Sequence, residues 1–205
     1  MEQVIFLPGA SGHVEFWQPM IEHLPDSFKL KVIAYPEFGG APAQDHVKNF
    51  NDLQNFVIDS IVEFSEDQQV IVVAQSMGGI FAVQSALQYP NQIKALVLIA
   101  TSGGIDLSPF DVADWRQDYQ LQYSVPDWFV KYKGNLDHDL NQINIPVLLI
   151  WGDQDLISPT AVGEYLQSKF KNAELYVVSG GEHDLAMRYS RQVASKMLEF
   201  INQLR

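Results

Sequence analysis

Val70-Ile71-Val72-Val73-Ala74-Gln75-Ser76-Met77-Gly78-Gly79 decides the reading of this chain. An apolar run of strand length ends at Gln75-Ser76, two glycines follow, and a helical pattern covers about 77–88. A run that is apolar at every position suits a strand buried on both faces, as in a parallel sheet. The chain therefore passes from strand to helix through a sharp turn with Ser76 at its apex. Such a turn holds its apex residue in a strained backbone conformation. It closes only when the residues two before and two after are small. Ala74 and Gly78 meet that demand. The turn lifts the hydroxyl out of the sheet, and the helix N-terminus behind it favours developing negative charge. Ser76 is thus a candidate nucleophile. The plainer alternative, a Ser in an ordinary strand-to-helix turn, does not explain the small residues on both sides.

Outward from this turn the same alternation repeats. Val4 to Leu7, Leu30 to Ala34, Ala95 to Ala100, Val147 to Trp151 and Leu175 to Val178 read as further strands. Helical patterns lie between them, over about 15–24, 49–65, 160–170 and 188–204. In the last, Val193, Met197, Phe200, Ile201 and Leu204 recur at helical spacing. Strand and helix in strict alternation predict an α/β fold with about six parallel strands and helices on both faces. One interval breaks the rhythm. Roughly 45 residues separate Ala100 from Pro146, whereas a connection in this class is usually about 2–6 residues. This segment is expected to be a small helical cap inserted at about 103–144 in a single domain spanning 1–205. Residues 111–123 suit one helix, with Trp115, Tyr119 and Tyr123 on one face. Val125-Pro126-Asp127 suits the start of another.

The 205 residues fit one domain with a core of its own. Hydrophobic residues make up 47% and charged ones 19%, a globular rather than a disordered balance. The 13 Lys and Arg against 25 Asp and Glu leave a charge of -12. Such a surface repels phosphate backbones and anionic membranes, so neither nucleic acid nor membrane is expected as a partner. Cysteine is absent, which excludes disulfides, thiolate zinc sites and a Cys nucleophile. Met1-Glu2-Gln3 carries no basic residue and the apolar run behind it is short, so no signal peptide is read and a cytoplasmic protein is expected.

Ligands of open parallel sheets bind beyond the carboxyl ends of the strands. Two more strand ends carry unusual residues. Trp151-Gly152-Asp153-Gln154-Asp155-Leu156-Ile157-Ser158-Pro159 offers two carboxylates. A buried carboxylate can hold a histidine in one tautomer and stabilise its protonated form. Either Asp153 or Asp155 could do so, and the other is then a helix cap or a solvated loop residue. Val178-Ser179-Gly180-Gly181-Glu182-His183-Asp184 puts a histidine in a Gly-rich loop. His23, His46 and His138 lie in helical or polar surroundings and read as solvated.

Ser, Asp, His in that order, with the Ser on a strand-turn-helix, resembles the α/β-hydrolase superfamily. Ala74 to Gly79 looks like its nucleophile elbow, with Ala where the G-x-S-x-G pattern begins with Gly. Trp151 to Pro159 looks like its acid loop, in which the acid lies three residues after the Gly, and this selects Asp155. Gly181-Glu182-His183 is similar to its Gly-His loop. The resemblance implies that the oxyanion of acyl transfer is bound by the N–H of Met77 and by an N–H of the first loop, Leu7-Pro8-Gly9-Ala10-Ser11-Gly12-His13. Preorganised donors of this kind are worth roughly 3–4 kcal/mol each. The family has His-Gly at the start of that loop. Here Pro8 replaces the His, and Ala10 is the implied donor. The lost His leaves the loop without its usual brace, for which Ser11 and His13 are the expected replacements. Alternatively, His13 lines the pocket or is a plain exposed loop residue. Glu37-Phe38-Gly39-Gly40-Ala41-Pro42 reads as a turn at the pocket edge. The family core of eight strands opens on an antiparallel hairpin. This chain opens on the strand that leads to the oxyanion loop, so that hairpin is expected to be missing.

The resemblance implies a serine hydrolase that cleaves a carboxylic ester or thioester through an acyl-enzyme on Ser76, without metal or organic cofactor. It is closest in kind to carboxylesterases and pimeloyl-carrier-protein methyl ester esterases. His13, Trp115, Tyr119, Trp128 and Phe129 are expected at the substrate pocket, and aromatic side chains there suit an apolar acyl group. An acyl carrier as partner would need basic residues, for which Arg116, Lys131 and Lys133 are available. The same scaffold also supports ligand receptors, lyases, carbon–carbon hydrolases and cofactor-free haloperoxidases. A dehalogenase would need a carboxylate where Ser76 stands.

Overall fold

The computed structural model describes residues 1–112 and 125–204. Six strands form one parallel sheet: β1 (Gln3–Leu7), β2 (Lys29–Val32), β3 (Val70–Gln75), β4 (Ile93–Ile99), β5 (Val147–Gly152) and β6 (Ala173–Val178). Their order is β2-β1-β3-β4-β5-β6. The inner strands β1, β3 and β5 are buried at every position, which is why they read as unbroken apolar runs. The edge strands are half-buried and mix polar with apolar residues, as in Lys29-Leu30-Lys31-Val32.

Alternate residues of each strand point to opposite faces, so the sheet has two cores. Val4, Phe6, Ile71, Val73, Val97, Leu148 and Ile150 pack with Trp17, Met20, Val193, Met197 and Phe200. These come from α1 (Gln18–Ile21), the 3-10 turn before it, and a C-terminal helix (Ser190–Gln203). Ile5, Leu7, Val72, Ala74, Leu96 and Leu149 face the other way. There they meet α2 (Phe50–Ser65), α3 (Gly78–Gln88) and a further helix (Thr160–Lys169). No helix among the described residues is long and apolar enough to cross a membrane.

Two helix expectations need correction. The pattern over 15–24 is a 3-10 turn, Val14–Trp17, followed by α1 alone. Pro19 lacks an N–H and fits only the first turn of a helix, so the helix begins there. The pattern over 188–204 is broken at Tyr189, which leaves the short helix Leu185–Arg188 ahead of Ser190–Gln203. Helix α2 starts where Asn49 caps it, accepting the Asp52 N–H at 3.0 Å.

The order of strands places the site. From β1 the chain steps outward to β2, then returns to lay β3 on the other side of β1. The loops after β1 and β3 therefore diverge and leave a crevice between them, the position where such sheets bind ligands. Between β4 and β5 the described residues hold the helix Asp127–Val130, with Pro126 just before it, and a 3-10 turn, Leu140–Gln142. The expected helix over 111–123, with Trp115 and Tyr119, falls almost wholly outside the described residues.

Candidate active site

Ser76 follows β3 with φ of 50°, in the left-handed region that side chains with a Cβ rarely adopt. Three contacts hold it there. Its N–H donates to Ile99 O at 3.1 Å, its carbonyl accepts the Gly79 N–H at 3.1 Å, and the Thr101 hydroxyl donates to the same carbonyl. Helix α3 begins two residues later, so its N-terminus lies behind the turn. Gly78 has no alternative, because a Cβ there would sit 2.6 Å from Leu7 O.

The acid loop after β5 presents Asp155, 4% exposed, to the His183 ring. Its Oδ2 lies 2.8 Å from His183 Nδ1. Its Oδ1 accepts the backbone N–H groups of Ile157 at 2.8 Å and Ser158 at 2.9 Å. These bonds fix the orientation of the carboxylate. Asp153 is turned away and exposed. It accepts the Gly180 N–H at 2.7 Å, which holds its carboxyl below the usual carboxylate range. It thereby ties the acid loop to the histidine loop, and Gln154 N–H on Gly181 O at 2.9 Å does the same.

The three residues lie on a closed circuit of hydrogen bonds. The Thr101 hydroxyl reaches Ser76 O, and Thr101 O accepts from Ser158 Oγ at 3.4 Å. The Ser158 N–H reaches Asp155, and Asp155 reaches His183. His183 O accepts from Gln75 Nε2 at 3.2 Å, and Gln75 is joined directly to Ser76. Gln75 is buried, and the Gly9 backbone of the first loop lies against its amide. Sequence reasoning passed over Gln75, Thr101 and Ser158. Their polar character at buried strand ends was the available signal.

The first loop has a brace that the sequence did not point to. Tyr35, fully buried behind β2, donates its hydroxyl to Pro8 O at 2.8 Å. Burial pushes this phenol well above its ordinary value, so it stays a donor. Its ring packs edge-on against Phe38 and Phe81. Gly12, with φ of 68°, lies directly on Phe38 and Gly39. Glu37 to Pro42 thus supports the loop from behind, and Glu37 to Pro42 contributes no residue to the cavity wall. The N–H groups of Met77 and Ala10 donate to no acceptor among the described residues.

A cavity of about 710 Å³ lies above this floor. Ser76, Met77, Ala10 and His183 line its base. Residues 104–108, Val112, Phe129 and residues 132–135 line its roof. Of the aromatic residues expected at the pocket, Phe129 is among the lining residues. His13 and Trp128 are not among the lining residues. His13 is exposed at the start of the 3-10 turn Val14–Trp17, and Trp128 turns its ring edge-on to Phe38 at 6.0 Å. Trp115 and Tyr119 lie outside the described residues. Tyr132, not singled out from sequence, lines the roof and stacks on Phe50 at 3.5 Å.

Sheet order, elbow and loop placement define an α/β-hydrolase fold. The family model for the alpha/beta hydrolase fold matches residues 3–136 and 118–187, and the chain belongs to that family. Relatives include a poly(3-hydroxyalkanoate) depolymerase from Ectopseudomonas oleovorans, 26% identical over 98% of this chain and 85% of that one. A pimeloyl-[acyl-carrier protein] methyl ester esterase from Neisseria meningitidis is 23% identical over 94% of this chain and 74% of that one. Among solved structures, a thermophilic esterase from Thermogutta terrifontis superposes with a TM-score of 0.83 at 15% identity. It covers all of this chain and 90% of the other. The chain is thus a hydrolase-fold protein with esterases and depolymerases among its relatives.

Proposed function

We propose that the chain is a serine hydrolase that cleaves a carboxylic ester or thioester through an acyl-enzyme on Ser76. The observation that carries this reading is the pairing within one cavity. Ser76 sits in its strained turn at the base, beside a histidine whose Nδ1 is 2.8 Å from a buried carboxylate.

His183 takes the Ser76 proton as the hydroxyl oxygen attacks the acyl carbon. Asp155 orients the ring and stabilises its protonated form. The carbonyl oxygen becomes an oxyanion and is met by the N–H groups of Met77 and Ala10, which donate to no acceptor among the described residues. His183 returns the proton to the leaving alcohol or thiol. It then activates a water that releases the acid and regenerates Ser76. Every step uses side chains and backbone of this chain. We read the chain as a single domain over 1–205 with a cap insertion at about 103–144, a reading supported by the described residues 104–108, 112, 129 and 132–135 that line the roof of the site. Small-molecule esters are the substrates, and an acyl group delivered on a carrier is a second form of the same chemistry, favoured by the methyl ester esterase relative.

A fluorophosphonate probe should label Ser76, with the adduct located by peptide mass spectrometry. Ser76→Ala should lose both labelling and turnover of p-nitrophenyl esters. Turnover at the wild-type rate by that variant would end this reading, and labelling elsewhere would move the nucleophile. The receptor and lyase alternatives are separated by the same assay, since neither releases p-nitrophenol.

A further inference from the structure

The cavity above Ser76 has apolar lining residues in Ile80, Leu107 and Phe129. One stretch of its wall, residues 132–135, is polar. Lys133 is the one Lys or Arg among the described lining residues. Lys29, Lys94, Lys169, Lys196 and Arg188 each pair with a carboxylate, but among the described residues none pairs with Lys133. Two further donors stand beside it. Asn135 accepts the Asp137 N–H through Oδ1, which leaves its amide N–H groups on the donor side. Burial pushes the Tyr132 phenol up from its ordinary value, so its hydroxyl stays protonated. Asp106, the carboxylate in the same wall, is held by the Ser108 N–H at 3.0 Å and the Ser108 hydroxyl at 2.7 Å. The chain as a whole carries -12 and repels anions. An ammonium on the cavity wall with no carboxylate partner among the described residues is the local exception.

We infer that Lys133, with Asn135 and Tyr132 beside it, receives a carboxylate at the end of the substrate remote from the scissile ester. The substrate class is then the half-ester of a dicarboxylic acid, with its methylene chain along Ile80, Leu107 and Phe129. One cation facing a wall that also holds Asp106 suits a single negative charge rather than a phosphate dianion. Lys133 is exposed and lines the cavity, so the carboxylate it meets lies at the solvent-open side of the cavity while the ester reaches Ser76. The inference rests on the hydrolase reading above.

The test compares monoethyl adipate with ethyl hexanoate and with the trimethylammonium-ended ester of the same length. Wild type should favour the half-ester in kcat/KM over the neutral ester. Lys133→Gln should lower that ratio about tenfold, the size of one charge-assisted contact. Lys133→Glu should favour the trimethylammonium ester. A ratio that Lys133→Gln leaves unchanged overturns the inference. Calorimetry with the N-methyl monoamide of adipic acid reads the same preference without turnover. Binding that depends on Lys133 in a protein that cleaves neither ester would overturn the hydrolase reading while the carboxylate contact stands.

Discussion

The floor and the roof of the cavity are built on different physics. The floor joins the loops after β1, β3, β4, β5 and β6 by backbone hydrogen bonds and by side chains that reach backbone groups. Thr101, Ser158, Gln75 and Tyr35 each make such a contact. The roof is held largely by aromatic packing: Phe129 and Trp128 on Phe38, and Tyr132 on Phe50. Directional bonds tolerate little displacement, so the floor is suited to holding reacting groups in register. Apolar packing tolerates substitutions of similar volume, so the roof is suited to variation in what the cavity accepts. The floor should therefore control the rate with every substrate, and the roof should control the ranking of substrates.

Substitutions can break that contrast. The largest effect is expected for Asp155→Asn, which leaves the shape of the floor but supplies the wrong hydrogen-bond partner to His183. It should lower kcat by about three to four orders of magnitude for all esters. Asp153→Asn, on the exposed side of the same loop, should lower it by less than about tenfold. If the two exchange magnitudes in steady-state assays, the assignment of the acid is wrong. Next is Tyr35→Phe, which removes the hydroxyl that braces Pro8 and leaves a buried carbonyl unpaired. It should cost about 1–3 kcal/mol of stability in denaturant melts and lower kcat about tenfold, with KM little changed, because the oxyanion loop loses register. An unchanged kcat would show that Gly12 on Phe38 holds the loop by itself. The smallest change in rate is expected for Phe129→Ala. It should shift the preferred p-nitrophenyl ester toward longer acyl chains, with several-fold changes in relative kcat/KM. A uniform loss across chain lengths would place Phe129 with the floor.

The fold was legible because its signals are local. Each inner strand is buried on both faces and so must be apolar throughout, and the strained turn demands small residues within two positions of Ser76. Ser76, Asp155 and His183 stood out for the same reason: each occupies a strand-end loop whose composition is odd by itself. Choosing between Asp155 and Asp153 took the family resemblance, since the residues alone left both open. The structure now puts Asp155 on the ring and Asp153 on the Gly180 N–H. Pocket residues were read less well. His13 and Trp128 are close in sequence to cavity-lining residues, but their backbone directions take them elsewhere.

The residues by themselves pointed to the strands, their parallel class and the candidates Ser76 and His183, and left the acid open between Asp153 and Asp155, because period, steric demand and strand-end position are properties of neighbouring residues. Only the tertiary structure decided the strand order, the Tyr35 brace on the first loop, the circuit through Gln75, Thr101 and Ser158, and the place of Lys133 on the cavity wall. Gln75 and His183 are 108 residues apart, and Tyr35 and Pro8 are 27 apart. Contacts at such separations depend on how the strands are laid side by side, and no local pattern along the chain records that.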